Sequence, residues 1–378
     1  MRMIFTASPG YIIVGGDYSQ QEPRLLTSMC KDQNLIDTYK QNKDLYATIG
    51  SFIFHKTYWE CMEHWENGDP NPEGATIRKK CKQIVLGVMY GMGAKLMASN
   101  LGISIEECKE ILDEFYKMFP TVKEFTLNNE KMAKERGYVE DYIGRQRHLP
   151  DANLEPLEIR AKKTVITDAD VFIDCSLEDS SISIPDEEKN TIWKHKWEDY
   201  QRSHKGNFYD IKKDFKELAK SNGVDTFDNG AFISKTMTQC TNARIQGGAA
   251  SLTKKAMVEI FNDKEINDLG FRILIPVHDE LLGECPIENV DKVEKRLSYL
   301  MINAAKPECT VPMKVDTYAV KHWYADEVFN SIHDKYNSMI AKGDSEAFSK
   351  LQSTYSELND SILKSMCDGT YDVLSNEL

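Results

Sequence analysis

The chain has 378 residues, of which 41% are hydrophobic and 10% aromatic, and a formal net charge of −13. This composition excludes a disordered chain, and the length allows two or three lobes with buried cores. The negative charge argues mildly against nucleic-acid binding, but the charge is uneven: residues 77–95 are basic, whereas residues 326–378 are acidic.

The nine cysteines are scattered along the chain and form no C-x-x-C pair. We therefore predict reduced thiols rather than a disulfide framework or a zinc site. No apolar run has the length of a membrane span, and the N-terminal residues lack a signal-peptide pattern. The sequence thus predicts a soluble, cytoplasmic protein without a membrane partner.

The first predicted element is a strand at about 11–14, and helical patterns follow through residues 22–60. A long helix is predicted from Ala75 to Tyr90, where glycines loosen it. Next come a helix capped by Ser104 and closed by Phe119 and Pro120, a helix over 121–136 and a hairpin over 137–150. A charged insertion with its own small core is predicted over 160–230, followed by a helix from Phe232 through Lys255, an apolar hairpin around Asp279 and a helix over 290–304. The last predicted element is a tail with helical spacing over 348–362, after a turn at Lys342, Gly343 and Asp344.

Two short acidic motifs lie far apart in the chain, GGDYSQQEPR over 15–24 and PVHDELLGE over 276–284. Each places an aspartate, Asp17 or Asp279, at the end of an apolar, strand-like run. Either aspartate alone is most simply a turn or cap residue. Together, with Glu280 beside Asp279, they provide the hard carboxylate ligands that a two-metal phosphoryl-transfer site needs.

A third signal lies on the predicted long helix, where Arg78, Lys82, Leu86 and Tyr90 are each four residues from the next. Residues at this spacing lie on one face of a helix. Cations in the first turn oppose the helix dipole, unless an anion docks on the free N–H groups there. A nucleoside triphosphate fits this arrangement, and a basic, solvated helix end is the alternative.

These segments resemble family A DNA polymerases, the group that contains bacterial DNA polymerase I and many phage replicative enzymes. The resemblance rests on five motifs in the family order, spread from residue 10 to about 325: GGDYSQQEPR (15–24), RKKCKQIVLGVMYG (78–91), GRQRHLP (144–150), TNARIQGGAA (241–250) and PVHDE (276–280). The glutamine–proline form of the first motif and the insertion are more similar to phage members than to cellular ones. For a phage protein the predicted location is the host cytoplasm.

The resemblance implies a role for each motif residue. Asp17, Asp279 and the backbone carbonyl of Tyr18 are implied to bind two Mg²⁺ ions, for which Mn²⁺ can substitute. The implied catalytic residues are Asp17, Asp279, Lys82 as proton donor to pyrophosphate, and Glu280, whose role is less defined. The implied nucleotide-binding residues are Tyr18, Gln20, Glu22 as the gate against a 2′-hydroxyl, Tyr46, Arg78, Lys82, Leu86 and Tyr90 at the templating position. The implied DNA-binding residues are Arg24, Asn242, Gln246 and His278.

Two residues depart from the family pattern. Leu86 stands where a Phe or Tyr is expected, which weakens stacking on the nucleotide, and Tyr46 stands where many relatives have His. The resemblance implies an α/β (α+β) fold: a polymerase palm with an antiparallel sheet and mostly helical fingers, and we expect no thumb or exonuclease domain in this chain. The expected domain limits are 1–27 and 231–325 for the palm, 28–159 for the fingers, 160–230 for the insertion and 326–378 for a helical tail.

The implied partners are primer-template DNA, deoxynucleoside triphosphates and a separate polypeptide carrying a thumb, an exonuclease or both. Two alternatives to template-directed DNA synthesis stay open. The chain can be the non-catalytic or partner-dependent DNA-binding half of a split polymerase, although its intact motif residues count against decay. It can also be a single-subunit RNA polymerase, against which Glu22 argues. The tail can dock a partner or fold back on its own palm.

Overall fold

The computed structural model describes residues 5–161, 186–323, 325–356 and 358–373. The chain divides into two compact units, one formed by Met1–Leu127, Glu140–Arg145 and Asn242–Leu378, the other by Asn128–Val139 and Gln146–Thr241. In the described ranges, no helix is both long enough and apolar enough to cross a membrane. The described cysteines are free thiols, as predicted.

The strands are β1 (Tyr11–Tyr18), β2 (Tyr138–Glu140), β3 (Gln146–His148), β4 (Leu157–Ala161), β5 (Val224–Asp228), β6 (Arg272–Val277), β7 (Glu280–Pro286) and β8 (Val315–Val320). The helices are α1 (Gln21–Cys30), α2 (Gln33–Lys40), α3 (Leu45–Ile53), α4 (Pro72–Met89), α5 (Ala94–Leu101), α6 (Ile105–Met118), α7 (Pro120–Arg136), α8 (Asp186–Ser203), α9 (Phe208–Ser221), α10 (Gly230–Asn262), α11 (Lys264–Asp268), α12 (Val290–Ala304), α13 (Ala325–Ala341), α14 (Ala347–Thr354) and α15 (Asp360–Asp368).

The main sheet is antiparallel with the strand order β6-β7-β1-β8. The predicted first strand and the predicted hairpin around Asp279 are therefore confirmed as neighbours in one sheet. The strand β8, which the sequence did not predict, forms the other edge. In register, Asp17 of β1 lies opposite Glu280 of β7 on one side and Asp316 of β8 on the other.

The two faces of this sheet have different environments because successive side chains of a strand point to opposite faces. On one face, Ile12, Val14 and Tyr18 belong to a core that includes residues of α12. The Tyr18 hydroxyl donates a hydrogen bond of 2.6 Å to the backbone carbonyl of Met301 there. On the other face a smaller apolar cluster surrounds Ile13, so Asp17 lies at the end of an apolar stripe.

Helices α2 to α6 share a second core within the first unit. The predicted long helix is present as α4, which begins at Pro72 rather than Ala75. Asn71 caps it, because its side-chain oxygen accepts a hydrogen bond of 3.0 Å from the Gly74 N–H. Ser104 caps α6 as predicted, and its hydroxyl accepts from the Glu107 N–H at 3.1 Å.

The second unit has its own small core, as predicted for the insertion. Trp193 and Trp197 of α8 and Phe215 of α9 are buried there with residues of β4 and β5. The core extends N-terminally beyond the predicted start at 160, since β4 begins at Leu157. Residues 162–185 of the predicted insertion lie outside the described residues.

The C-terminal segment forms three helices, α13 to α15, around a separate apolar core. The predicted turn is confirmed, and Gly343 has the positive φ, 78°, that such a turn favours. The predicted helical spacing over 348–362 is divided between two helices, because α14 ends at Thr354 and Asn359 starts a new helix as its N-cap. Val373 then packs in the apolar cluster around Ile13, and its carbonyl accepts from the Lys321 N–H at 3.0 Å.

Candidate active site

Three carboxylates form a row across three neighbouring strands of the main sheet. Glu280, Asp17 and Asp316 occupy one register position on β7, β1 and β8, and opposed residues have Cβ atoms about 5 Å apart. Burial is the largest influence that raises the pKa of Asp17 to about 6, and the charges of Asp279, Glu280, Asp316 and Glu327 add to it in that order. The site thus concentrates negative charge that a cation would relieve.

Asp279 is held at the tip of the β6–β7 hairpin. The turn has two residues, His278 and Asp279, and His278 has the positive φ of 56° that hairpin turns of this length favour. The backbone carbonyl of Asp279 accepts a hydrogen bond of 3.2 Å from the Tyr18 N–H. This bond ties the second acidic motif directly to the first, as the sequence pattern required.

Tyr318 is a residue of this site that sequence reasoning missed. Its hydroxyl donates a short hydrogen bond to Oε1 of Glu280, two strands away. The ring crosses β1 over Gly15, where an added Cβ would overlap with the ring. Glycine inside a strand indicates close approach by another group, so the Gly15–Gly16 pair was the available signal.

The C-terminal end of α4 and the first acidic motif meet at a second cluster. The Tyr90 hydroxyl donates a hydrogen bond of 2.9 Å to Oε2 of Glu22. Burial raises the pKa of the Glu22 carboxyl, and this hydrogen bond partly offsets that shift. Burial and then Glu22 raise the pKa of Tyr90 to about 12, while a hydrogen bond with Gln246 acts in the opposite direction. The charge of Asp279 also raises the pKa of both groups.

Arg78 of α4 does not point to open solvent. Its guanidinium makes ion pairs of 2.9 Å with Asp44 and 2.8 Å with Glu63, and it lies 5.3 Å from the centre of the Tyr46 ring. Lys82, one turn further along α4, is exposed. A triphosphate could thus reach Lys82 directly, whereas at Arg78 it would compete with two carboxylates.

Arg24 and Gln20 are built into the turn between β1 and α1. Arg24 is only 8% exposed, donates to the carbonyls of Ser19 at 3.0 Å and Pro312 at 2.7 Å, and lies 4.4 Å from the centre of the Tyr39 ring. The Tyr39 hydroxyl donates to Oε1 of Gln20 at 3.0 Å. These contacts give both residues a structural role, and their predicted ligand contacts stay predictions.

The remaining predicted residues differ in accessibility. Gln246 is exposed on α10, and the buried Oδ1 of Asn242, one turn earlier, accepts no hydrogen bond from the described residues. Tyr46 is buried, so its hydroxyl needs a rearrangement to reach a phosphate. Leu86 packs against the core of the helical region, consistent with its loss of a stacking role.

The donors at the carboxylate row and at the neighbouring hairpin tip suit a hard cation. Asp17 and Asp279 offer oxygen ligands only, the type that Mg²⁺ prefers. No group of three or more His, Cys, Asp or Glu side chains that could hold a metal is present in the described parts of the chain.

Comparison with known proteins identifies the family. The family model described as DNA polymerase family A matches residues 1–167 and 217–325. The chain belongs to this family. The unmatched residues 168–216 fall within the predicted insertion, and the three C-terminal helices lie beyond the matched region.

Several relatives agree with this assignment. DNA polymerase I of Geobacillus stearothermophilus is 25% identical over 86% of this chain and 27% of its own length. The thermostable DNA polymerase I of Thermus aquaticus is 27% identical over 85% of this chain and 28% of its own length. The chain therefore spans little more than a quarter of these relatives.

The fold also matches a solved structure, the POL domain of Pol1 from M. smegmatis in complex with DNA primer-template and dNTP. The match has a TM-score of 0.59 and 23% identity, and it covers 86% of this chain and 42% of that chain. The predicted palm fold with an antiparallel sheet and helical fingers is thereby confirmed.

Proposed function

We propose that this chain catalyses template-directed DNA synthesis, in which a primer 3′-hydroxyl attacks the α-phosphate of a deoxynucleoside triphosphate. The observation that carries the proposal is the carboxylate row of Glu280, Asp17 and Asp316, together with Asp279 at the hairpin tip, whose backbone carbonyl accepts a hydrogen bond from the N–H of Tyr18, the residue after Asp17. Family membership supports it, and the structural neighbour was solved with primer-template and dNTP.

Asp17, Asp279 and the Tyr18 carbonyl would hold the metal ions. Two such ions, when bound, would activate the attacking hydroxyl and neutralise charge on the leaving oxygen. Lys82 would bind the phosphates and donate a proton to pyrophosphate. Glu280 would add a carboxylate near the metal ions, and Tyr318 would position Glu280 through its hydrogen bond.

The Glu22–Tyr90 hydrogen bond would preset the sugar gate. A carboxylate held by the tyrosine hydroxyl occupies a fixed place, so a ribonucleotide 2′-hydroxyl would meet it rather than displace it. Gln246, which forms a hydrogen bond with Tyr90, would contact the nascent base pair beside the same cluster. Asn242 and His278 would face the primer end.

The biological setting is part of the proposal. We place the activity in DNA replication, in a phage and hence in host cytoplasm, on the motif details alone. A net charge of −13 is poorly suited to gripping duplex DNA unaided. We therefore propose that a separate thumb-bearing polypeptide assists.

Primer extension tests the proposal. The purified chain is given primer-template, the four deoxynucleotides and Mg²⁺, beside Asp279→Asn and a matched control, Asp268→Asn, at an exposed position on α11. We expect metal-dependent extension by wild type and control but at least a 100-fold loss in Asp279→Asn. Equal extension by both variants would contradict the assignment. Glu22→Ala should raise ribonucleotide incorporation, and unchanged discrimination would reject the gate.

One observation favours the partner-dependent alternative. Arg78 is held by Asp44 and Glu63, so the isolated chain can be closed to triphosphate. If so, Asp44→Asn combined with Glu63→Gln should tighten nucleotide binding in calorimetry. Unchanged binding would mean that these ion pairs do not compete with the nucleotide.

A further inference from the structure

A basic groove lies between α9 and β5 in the second unit, with a volume of about 490 Å³. We call it the α9–β5 groove. Its helical side is formed by one face of α9, and its floor is formed by residues of β5. The lining includes Tyr209, Lys212, Lys213, Lys216 and Lys220 of the helix, together with Glu217, Asp225, Thr226 and Asp228.

The lysines follow the helix axis. Lys212, Lys216 and Lys220 are four residues apart, so they repeat about every 6 Å on one face and span about 12 Å. Lys213 widens the row. A basic helix face that contacts only solvent would show the same spacing. The ion pairs of these ammonium groups decide between that interpretation and a ligand-binding site.

The ion pairs leave positive charge in the groove. Asp228 is shared by Lys212 at 2.8 Å and Lys216 at 3.6 Å, and Lys212 is buried. One carboxylate thus serves two ammonium groups. Lys213 and Lys220 are exposed and make no ion pair with any described residue. Counting Glu217 and Asp225 as well, the lining carries four cations against three anions, in a chain whose overall charge is −13.

An exposed aromatic ring lies beside the lysine row. Tyr209 lines the groove at the start of the row and is 68% exposed. A stacking ring next to unpaired cations is the combination used for single-stranded nucleic acid. A free phosphate would not need the ring.

We propose that the α9–β5 groove binds single-stranded DNA, with backbone phosphates on Lys213, Lys216 and Lys220 and a base stacked on Tyr209. This site is additional to the catalytic site and does not depend on the proposed polymerase activity. Part of α9 falls in residues 168–216, which the family model does not match.

Salt-dependent binding tests this site. Fluorescence anisotropy of a labelled oligodeoxythymidine is measured with the full chain between about 50 and 200 mM salt. The double variant Lys213→Gln with Lys220→Gln removes two phosphate contacts. The slope of the logarithm of the binding constant against the logarithm of the salt concentration should therefore become less steep by about 1.4. Between these two salt concentrations the affinity of wild type would then fall about sevenfold more than the affinity of the variant. Lys342→Gln with Lys364→Gln, exposed positions in the C-terminal helices, is the matched control and should keep the wild-type slope.

Two further measurements keep the test independent of folding defects. Tyr209→Ala should weaken binding at least about fivefold, whereas Tyr209→Phe should retain it because the ring remains. Amine footprinting of the wild-type chain should show protection of Lys213 and Lys220 by the oligonucleotide. Absence of that protection, or equal slope changes in both double variants, would overturn the proposal. Equal competition by polyglutamate with no effect of Tyr209→Ala would instead identify an acidic peptide as the ligand.

Discussion

Replacing Asp17 by Asn should stabilise the chain in metal-free buffer at high pH. The folded-state pKa of Asp17 is raised to about 6 from 3.8, mainly by burial and then by the charge of Asp279. A raised pKa means that the folded state favours the neutral form. The corresponding stability is present below pH 3.8 and is lost as the pH rises through 6. Asn resembles the neutral form at every pH.

The structure sets the size of this effect. A difference of about 2.2 pKa units corresponds to about 3 kcal/mol if the shift acts in full. Surrounding protein partly desolvates the Asp17 carboxyl group, but the residue still has a large solvent-accessible surface, so solvent screening reduces the expected gain to about 1 kcal/mol. At pH 8 the variant should exceed wild type by this amount, and near pH 4 the difference should shrink toward zero.

Urea denaturation at pH 8 and pH 4 measures the difference, with Asp113→Asn on the exposed surface of α6 as the matched control. Equal stability of wild type and Asp17→Asn at pH 8, or an equal gain at both pH values, would refute the electrostatic reasoning. Adding Mg²⁺ at pH 8 should stabilise wild type more than the variant, because the variant loses a ligand carboxylate.

Three further outcomes are expected. Tyr18→Phe removes the buried hydrogen bond to Met301 and should lower the free energy of unfolding by about 1–3 kcal/mol; a loss below 0.5 kcal/mol in urea titration would show that the carbonyl finds another donor. Leu363→Ala should destabilise the C-terminal helices by about 2–5 kcal/mol and speed amide exchange there, and unchanged exchange would deny them a separate core. Tyr318→Phe should raise the Mg²⁺ concentration needed for half-maximal extension by freeing Glu280, with a stability change of about 1 kcal/mol or less; an unchanged metal dependence would leave Tyr318 a purely structural residue.

Much of the main sheet could be predicted from the sequence because its signals are local. An apolar run that ends in an aspartate predicts a strand with a carboxylate at its end, and a tight acidic hairpin predicts the opposing strand. The pairing of the two acidic motifs then predicted that Asp17 and the hairpin tip at Asp279 point to one place, and the Tyr18–Asp279 backbone hydrogen bond joins the two motifs. Caps such as Ser104 were similarly readable from neighbouring residues.

The missed features depend on neighbours that are distant in sequence. Asp316 and Tyr318 belong to β8, whose place beside β1 is set by sheet order rather than by any local pattern. The ion pairs of Arg78 with Asp44 and Glu63 likewise join separate helices and loops. Apolar spacing across 348–362 continued through a helix break because the side chains of two short helices fill one core.

Gly15 and Tyr318 have an evolutionary consequence. The ring occupies the space that a side chain at position 15 would need, and it holds Glu280 from across the sheet. Position 15 therefore cannot gain a side chain while the ring stays in place: a relative with alanine or a larger residue at position 15 should carry a small residue at 318. Such a relative would have to restrain its counterpart of Glu280 by other means. Aligned relatives should thus show covariation at these two positions.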